Sequence, residues 1–316
     1  MVLAAASPPI AHTLPMLASI SALLLFQTAP LTPYAIVKHP PIDEMSGIVK
    51  SRRYFDTFWV HNDSGDIARI FAINSHGQVI KPPYEEDFWV NEPVSGKKPW
   101  EGIRVEGASN IDWEDIAIDG DTLYLSDMGN NGNARRDLGV YVIAEPNPAA
   151  TASVRALKFL HIVYPDQKEF PGKNWHFDCE AIFVRNHKLY FITKHRKDGN
   201  FLFPEDSAKL YRLDTNFTDQ PNVLKKLDEQ TGLGGWVTAA DLSPDGKTLA
   251  VLTNAPKAGI WLYDISKTKE TWLHAPARRI PLTGVRQAEA ICFVDGKTVL
   301  VTNEQRDIFR VPLPPK

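Results

Sequence analysis

A two-strand module recurs five times along this 316-residue chain, and no other feature of the sequence restricts its folding as strongly. The opening segments read Met45-Ser46-Gly47-Ile48-Val49, Trp113-Glu114-Asp115-Ile116-Ala117, Cys179-Glu180-Ala181-Ile182-Phe183, Ala239-Ala240-Asp241-Leu242-Ser243 and Ala288-Glu289-Ala290-Ile291-Cys292. With Ser46, Glu114, Glu180, Ala240 and Glu289 in register, successive copies are 68, 66, 60 and 49 residues apart. That spacing is too long for solenoid units and suits propeller blades bearing loops of unequal length.

An apolar strand ending in polar residues follows each opening segment, at 58–63, 123–127, 189–194, 249–254 and 299–304. Third strands follow at 69–73, 140–143, 209–213, 260–263 and 308–311. Asp119-Gly120, Asp245-Gly246 and Asp295-Gly296 supply residues that adopt positive φ cheaply and so close hairpins. The 24 prolines and 19 glycines break up long helices. The fold expected is all-β, a β-propeller with five blades favoured and six as the alternative. A sixth unit would fall in 81–105, where 87–90 and 103–105 read as strands without the module. The last unit ends soon after its third strand, so residues 34–38 are expected to supply its fourth strand and close the circle.

Residues 34–316 therefore read as one domain, and 1–33 as an export signal or a disordered N-terminal arm. The stretch Leu14 to Phe26 is apolar and uncharged over the length of a signal-peptide core and is short for a bilayer span. A periplasmic or secreted location follows, with no membrane attachment once the signal is removed. Lys and Arg total 35 against 38 Asp and Glu, a net charge of −3, which argues against a nucleic-acid partner. Two cysteines, Cys179 and Cys292, cannot make a disulfide framework; they fall in non-adjacent units and are expected to be unpaired.

The ordered set Asn62-Asp63-Ser64-Gly65, Asp112-Trp113-Glu114-Asp115, Asp127-Met128-Gly129-Asn130-Asn131, Asp178-Cys179-Glu180-Ala181, Val237 to Gly246 and Gln287-Ala288-Glu289-Ala290 resembles a family of bacterial, often exported β-propellers mostly without assigned function. The likeness runs from about Ser46 to Glu304. It implies fold and export rather than a reaction. The likeness to calcium-dependent propeller hydrolases is one of fold type, with none of their signatures whole.

Alternation along a strand puts Asp112 with Glu114, and Asp178 with Glu180, on one face. If the opening strands line the channel, Glu114, Glu180 and Glu289 converge near its axis. Such carboxylates need a cation or must hold protons at raised pKa. Calcium, with about 6–8 oxygen ligands, fits such a set, and Asn62, Asp63, Asp127, Asn254 and Asn303 stand at neighbouring strand ends as further ligands. The alternative is that these acids bind backbone groups and tie blades together, as Asp115 and Asp241, on the other parity, are expected to do. Residues 127–137 lack EF-hand spacing and read as a tight polar turn.

No Gly-x-Ser-x-Gly, His-Glu-x-x-His, Cys-x-x-Cys or phosphate loop occurs, which removes those enzyme classes. His61, His176 and His195 remain as candidate general bases, with Lys194, Arg135 and Arg136 to steady an anion. Two functions stay open: metal-dependent hydrolysis of a small ester, lactone or phosphoester, or a non-catalytic propeller that binds a ligand or protein. In either case the expected partner is a small molecule or protein, and the chain is expected to be a monomer. Trp59, Trp89, Trp113, Trp175 and Trp236 are expected between blades; Trp89, Trp100 and Trp175, in irregular loops, are the better candidates for a ligand wall.

Overall fold

The computed structural model describes residues 30–83, 89–90 and 98–315, with backbone only at 89–90. The segment Leu14 to Phe26 lies outside them. Within them the repeat becomes five antiparallel units. Unit 1 runs Met45–Lys50, Phe58–Asn62, Arg69–Ile73 and Ile103–Glu106, whose other edge pairs in parallel with Ser153–Val163, so units 1 and 2 share one sheet. Unit 2 is Asp115–Asp119, Thr122–Asp127, Gly139–Ala144 and Ser153–Val163; unit 3 is Trp175–Arg185, Lys188–Arg196, Ser207–Arg212 and Lys225–Thr231. Unit 4 is Gly235–Leu242, Thr248–Pro256, Gly259–Asp264 and Ala277–Pro281. Unit 5 is Ala288–Asp295, Thr298–Asn303 and Asp307–Pro312, completed by Ala35–Ile36 from the other end of the chain.

The closing strand pairs as expected, Ala35 with Ile308 and Ile36 with Asp307. Tyr34 N–H and Val37 N–H extend the clasp by donating to Ile308 and Arg306 carbonyls at 2.7 and 2.9 Å. Each unit's first strand touches that of the next, and unit 5's touches unit 1's, so the ring closes as a β-propeller. Of the stretch 81–105, only part is described: Ile103–Glu106 serves as an outer strand of unit 1, and Trp89–Val90 pairs with Lys98–Pro99.

The core follows from this arrangement. Every strand alternates its side chains, and each unit presses apolar faces on both neighbours. The clusters accordingly join units 2 and 3 through Phe191, Tyr211 and Leu138, units 3 and 4 through Phe183, Trp272 and Val251, and units 4 and 5 through Ile260, Phe293 and Phe309. Trp59 and Trp113 are fully buried between units 1 and 2, each burial worth about 1.5–3 kcal/mol or more. Trp100 is also buried, edge-on to Phe71, and is core rather than ligand wall. Cys179 and Cys292 are buried free thiols.

Of the expected Asp-Gly turns, Gly120 and Gly246 take positive φ at 60° and 68°, whereas Gly296 does not. Unit 3's hairpin turns at Asn186-His187, both left-handed at φ 51° and 60°, the pattern of a two-residue loop whose twist matches its strands.

Candidate functional site

The site is created by a bulge repeated around the ring. Pairing between the first two strands of a unit skips one residue at Ser46, Glu180, Thr238 and Glu289. Glu114, just ahead of unit 2's first strand, holds the matching place, its N–H donating to Ser126 O at 3.0 Å. A bulge residue is released from the ladder and its side chain is re-aimed, here at one mouth of the channel. Unit 4's register is thus Thr238, two residues before the expected Ala240. Asp112 and Glu114 precede their strand rather than alternate along it, so a loop, not strand parity, brings them together.

The three bulge carboxylates act on one another. Burial raises Glu114 well above the usual carboxylate range, and Glu180, Asp63, Asp112 and Asp178 push it further. Glu180 is likewise raised well above by burial, against the pull of Lys194 and with Asp178 and Glu289 adding to the rise. Glu289 is pushed up to about 7 by burial, opposed by Lys194. Asp112 is pushed up to about 7 by burial and by Asp178 and Asp63. Ligand oxygens of Glu114, Asp178 and Glu180 lie within 4.8 Å of one another, and so do those of Asp63, Asp112 and Glu114.

These two groups, which share Glu114, differ in what neutralises them. In the first, Lys194 Nζ donates to Glu180 Oε1 at 2.7 Å and Arg196 pairs with Asp178. Lys194 and Arg196 are two apart on one strand, so both reach the same side, and both lie over the Trp236 ring at 5.3 and 5.4 Å. Trp236 is fixed in turn by donating Nε1–H to His195 O at 2.7 Å. Burial would lower the Lys194 ammonium, but Glu180, Glu289, Asp178 and Glu114 outweigh it and hold it charged.

Among the described residues the Asp63, Asp112 and Glu114 group has no ion-paired cation; Lys194 and Arg135 act on Asp63 and Asp112 only through space. Among the described residues no donor reaches the Glu114 carboxylate, although Glu114 is only 4% exposed. Asp63 accepts from Ser64 N–H at 2.5 Å, and Asp112 has a long 3.5 Å contact from Asn131. Gly129 forms the floor: a Cβ there would lie 2.3 Å from Glu114 Oε1 and 2.4 Å from Asp112 Oδ2. Only a residue without a side chain lets both carboxylates lie against this backbone.

The other expected site residues are placed as follows. Asp127 is held by Arg135 at 2.9 Å and accepts from Asp112 N–H. Asn62 Nδ2 donates to Asp66 at 2.7 Å and to Pro41 O, and Asn303 closes the equivalent turn onto Asp307. Asn254 donates to Glu289 Oε1 at 3.3 Å. His61 is buried in the core, with Nδ1 bonded to Asn62 O, its ring packed over Gly47 and against Trp113; burial lowers it to about 4. His195 is buried with its two ring nitrogens on Thr193 and Ser207 hydroxyls, and burial, then His176, lowers it well below its ordinary value. His176 stacks on it at 3.9 Å and bonds Glu205 at 2.9 Å. His176, His195 and Glu205 also bring ligand atoms within 4.8 Å, but the two rings are parallel within 5°, so their in-plane lone pairs do not point at one common atom. Arg136 lies over Phe170, and Trp175 packs edge-on to Phe201.

Residues 127–137 form the tight polar turn expected. Asn130 N–H donates to Asp178 Oδ1 at 2.6 Å, Asn133 Oδ1 accepts from Phe177 N–H, and Arg196 reaches Asn131. The loop of unit 2 is thereby bound to the first strand of unit 3. Asp115 and Asp241 do tie units: Asp115 accepts from Ile182 N–H at 2.8 Å and Asp241 from Phe293 N–H at 2.7 Å. Strand periodicity and motif spacing do not by themselves assign Arg196, Gly129 or Trp236 to the site. Arg196 was signalled by its i, i+2 relation to Lys194, whereas the close approach at Gly129 depends on a loop that strand periodicity does not describe.

Fold and site together define a β-propeller whose channel has one mouth lined by carboxylates. Among solved structures the chain is similar to Kuenenia stuttgartiensis hydrazine synthase, at 10% identity over 86% of this chain and 84% of that one, with a TM-score of 0.45. It is also similar to a chain in the crystal structure of a mitotic checkpoint complex, at 10% identity over 100% and 99% of the two chains, with a TM-score of 0.43. No family model and no curated protein matches the sequence.

Proposed function

We propose that this protein is an exported, calcium-binding β-propeller that recognises a small molecule at its acidic mouth through the bound cation. The observation that carries the reading is the Asp63, Asp112 and Glu114 group, three carboxylates within 4.8 Å that among the described residues have no ion-paired cation, with Lys194 and Arg135 acting on Asp63 and Asp112 only through space. Calcium–oxygen distances of about 2.3–2.6 Å let one ion span oxygens at that separation. Asp63, Asp112 and Glu114 would hold it, with Asn131 beside them. The ion would polarise an oxygen of the ligand, and Lys194 would offer a second positive charge. Calcium is preferred over softer metals because the donors are all oxygen.

Hydrolysis of an ester, lactone or phosphoester is a second reading. The histidines do not favour it, since His61 and His195 are buried and hydrogen-bonded. Glu289 does: a carboxyl held at about 7 beside Lys194 has the proton affinity a general base needs near neutral pH. Calorimetric titration with calcium is expected to give one site in the wild type and at least a tenfold weaker one in Glu114→Gln. No heat of binding in the wild type at pH 8 would overturn the cation reading. Glu289→Gln separates the two functions: retained calcium binding with lost turnover in an esterase, lactonase and phosphatase panel supports hydrolysis, and no wild-type turnover supports binding alone.

A further inference from the structure

The first strands of units 1, 2, 4 and 5, which start at the carboxylate mouth, end together at the other mouth. There residues at or near the ends of four first strands, Lys50, Ile118, Leu242 and Phe293, line a cavity of about 700 Å³. That volume lies within the range that takes a small organic ligand. One side of the cavity is the turn from Ser51 to Thr57. Ser51 Oγ accepts from Arg53 N–H and Tyr54 N–H at 3.1 and 2.8 Å, and Ser51 N–H donates to Thr57 O at 2.9 Å, so the turn is held in shape. It projects Arg52, Arg53 and Phe55, the last 98% exposed, with Arg53 lying over the Tyr54 ring at 5.4 Å.

The charges at this mouth are unevenly committed. Asp241 in the wall accepts from Leu242 and Phe293 N–H groups, and Asp56 accepts from Ser75. Lys50 donates to Val294 O at 2.6 Å. Among the described residues neither Arg52 nor Arg53 has a side-chain hydrogen bond or ion pair; Arg52 is sensed by Asp241 only through space. A guanidinium fork matches carboxylate, phosphate or sulfonate oxygens, and the aromatic rings offer flat apolar surface beside it.

We propose that the mouth opposite the carboxylates is a second binding site, taking a small anion carried on an aromatic or other planar apolar body. The inference is independent of the cation site. It is tested with 8-anilinonaphthalene-1-sulfonate by fluorescence titration of the full chain. The expected result is one saturable site, weakened at least tenfold in the Arg52→Ala/Arg53→Ala double variant, whose circular dichroism and melting match the wild type because both side chains are exposed. On the wild-type chain, inorganic phosphate is expected to displace the dye, and uncharged N-phenyl-1-naphthylamine to bind at least tenfold more weakly. Absence of a saturable site, equal affinity in the folded double variant, equal affinity for the uncharged probe, or no displacement by phosphate would each overturn it.

Discussion

Four of the five described units share a bulge and unit 2 holds a matching residue just ahead of its strand, and this position is filled in two ways. Units 1 and 4 place hydroxyls there: Ser46 donates to Glu114 O and Thr238 to Ala288 O, each at 2.8 Å, stitching a unit to its neighbour. Units 2, 3 and 5 place Glu114, Glu180 and Glu289 there, which cannot donate when ionised and instead crowd one another. The same backbone device therefore serves assembly where the side chain is a donor and charge storage where it is an acid. Within the acids a second division holds. Glu180 and Asp178 have fixed cationic partners, whereas Glu114 has none among the described residues.

The fixed pair is the place where removal should hurt most. Arg196→Ala leaves Asp178 fully buried without its guanidinium and is expected to lower stability by about 3–5 kcal/mol in chemical denaturation. A loss below about 1 kcal/mol would mean that the pair contributes no more than a surface bridge. Gly129→Ala strikes the unpaired group instead. Its methyl would meet Glu114 and Asp112 oxygens, costing about 1–3 kcal/mol and weakening calcium at least tenfold. Unchanged calcium affinity would move the ion elsewhere.

Proton linkage sharpens the same contrast. Glu289 rises from its ordinary 4.5 to about 7 in the folded state, and Asp112 from 3.8 to about 7, so the folded chain binds more protons than the unfolded chain across that window. Their contribution is fully present below about pH 4 and is lost as pH rises through about 7. Calcium-free protein is therefore expected to melt roughly 2–5 °C lower at pH 8 than at pH 5.5. Calcium competes with the proton on Asp112, so its stabilisation should be larger at pH 8. A calcium effect that shrinks with rising pH would contradict this assignment. The hydroxyl units give the smallest effect: Ser46→Ala and Thr238→Ala should each cost about 0.5–1.5 kcal/mol and leave calcium titrations unchanged.

The sequence revealed the ring because the opening segments place an acid or hydroxyl two residues ahead of an apolar residue such as Ile48, Ile116, Ile182 or Ile291, and that pattern recurs in order. It also revealed the closing strand, since unit 5 stops one strand short. The bulge itself was not legible: strand alternation assumes period two, and an extra residue breaks it, which misplaced Thr238 and put Asp112 on a strand. The burial of His61 escaped for a related reason. Its place beside Asn62 resembles a channel position, but Gly47 opposite leaves room for the ring to fold into the core. The neutralisation of Glu180 and Asp178 by Lys194 and Arg196 depends on pairing across a hairpin, which spacing along the chain does not report.

Anomalous diffraction from crystals grown with terbium in place of calcium tests the central claim most directly. The account predicts one strong peak bounded by Asp63, Asp112 and Glu114 and facing Gly129. A peak elsewhere in the channel, or none at this mouth at a terbium concentration well above that of the protein, would contradict it.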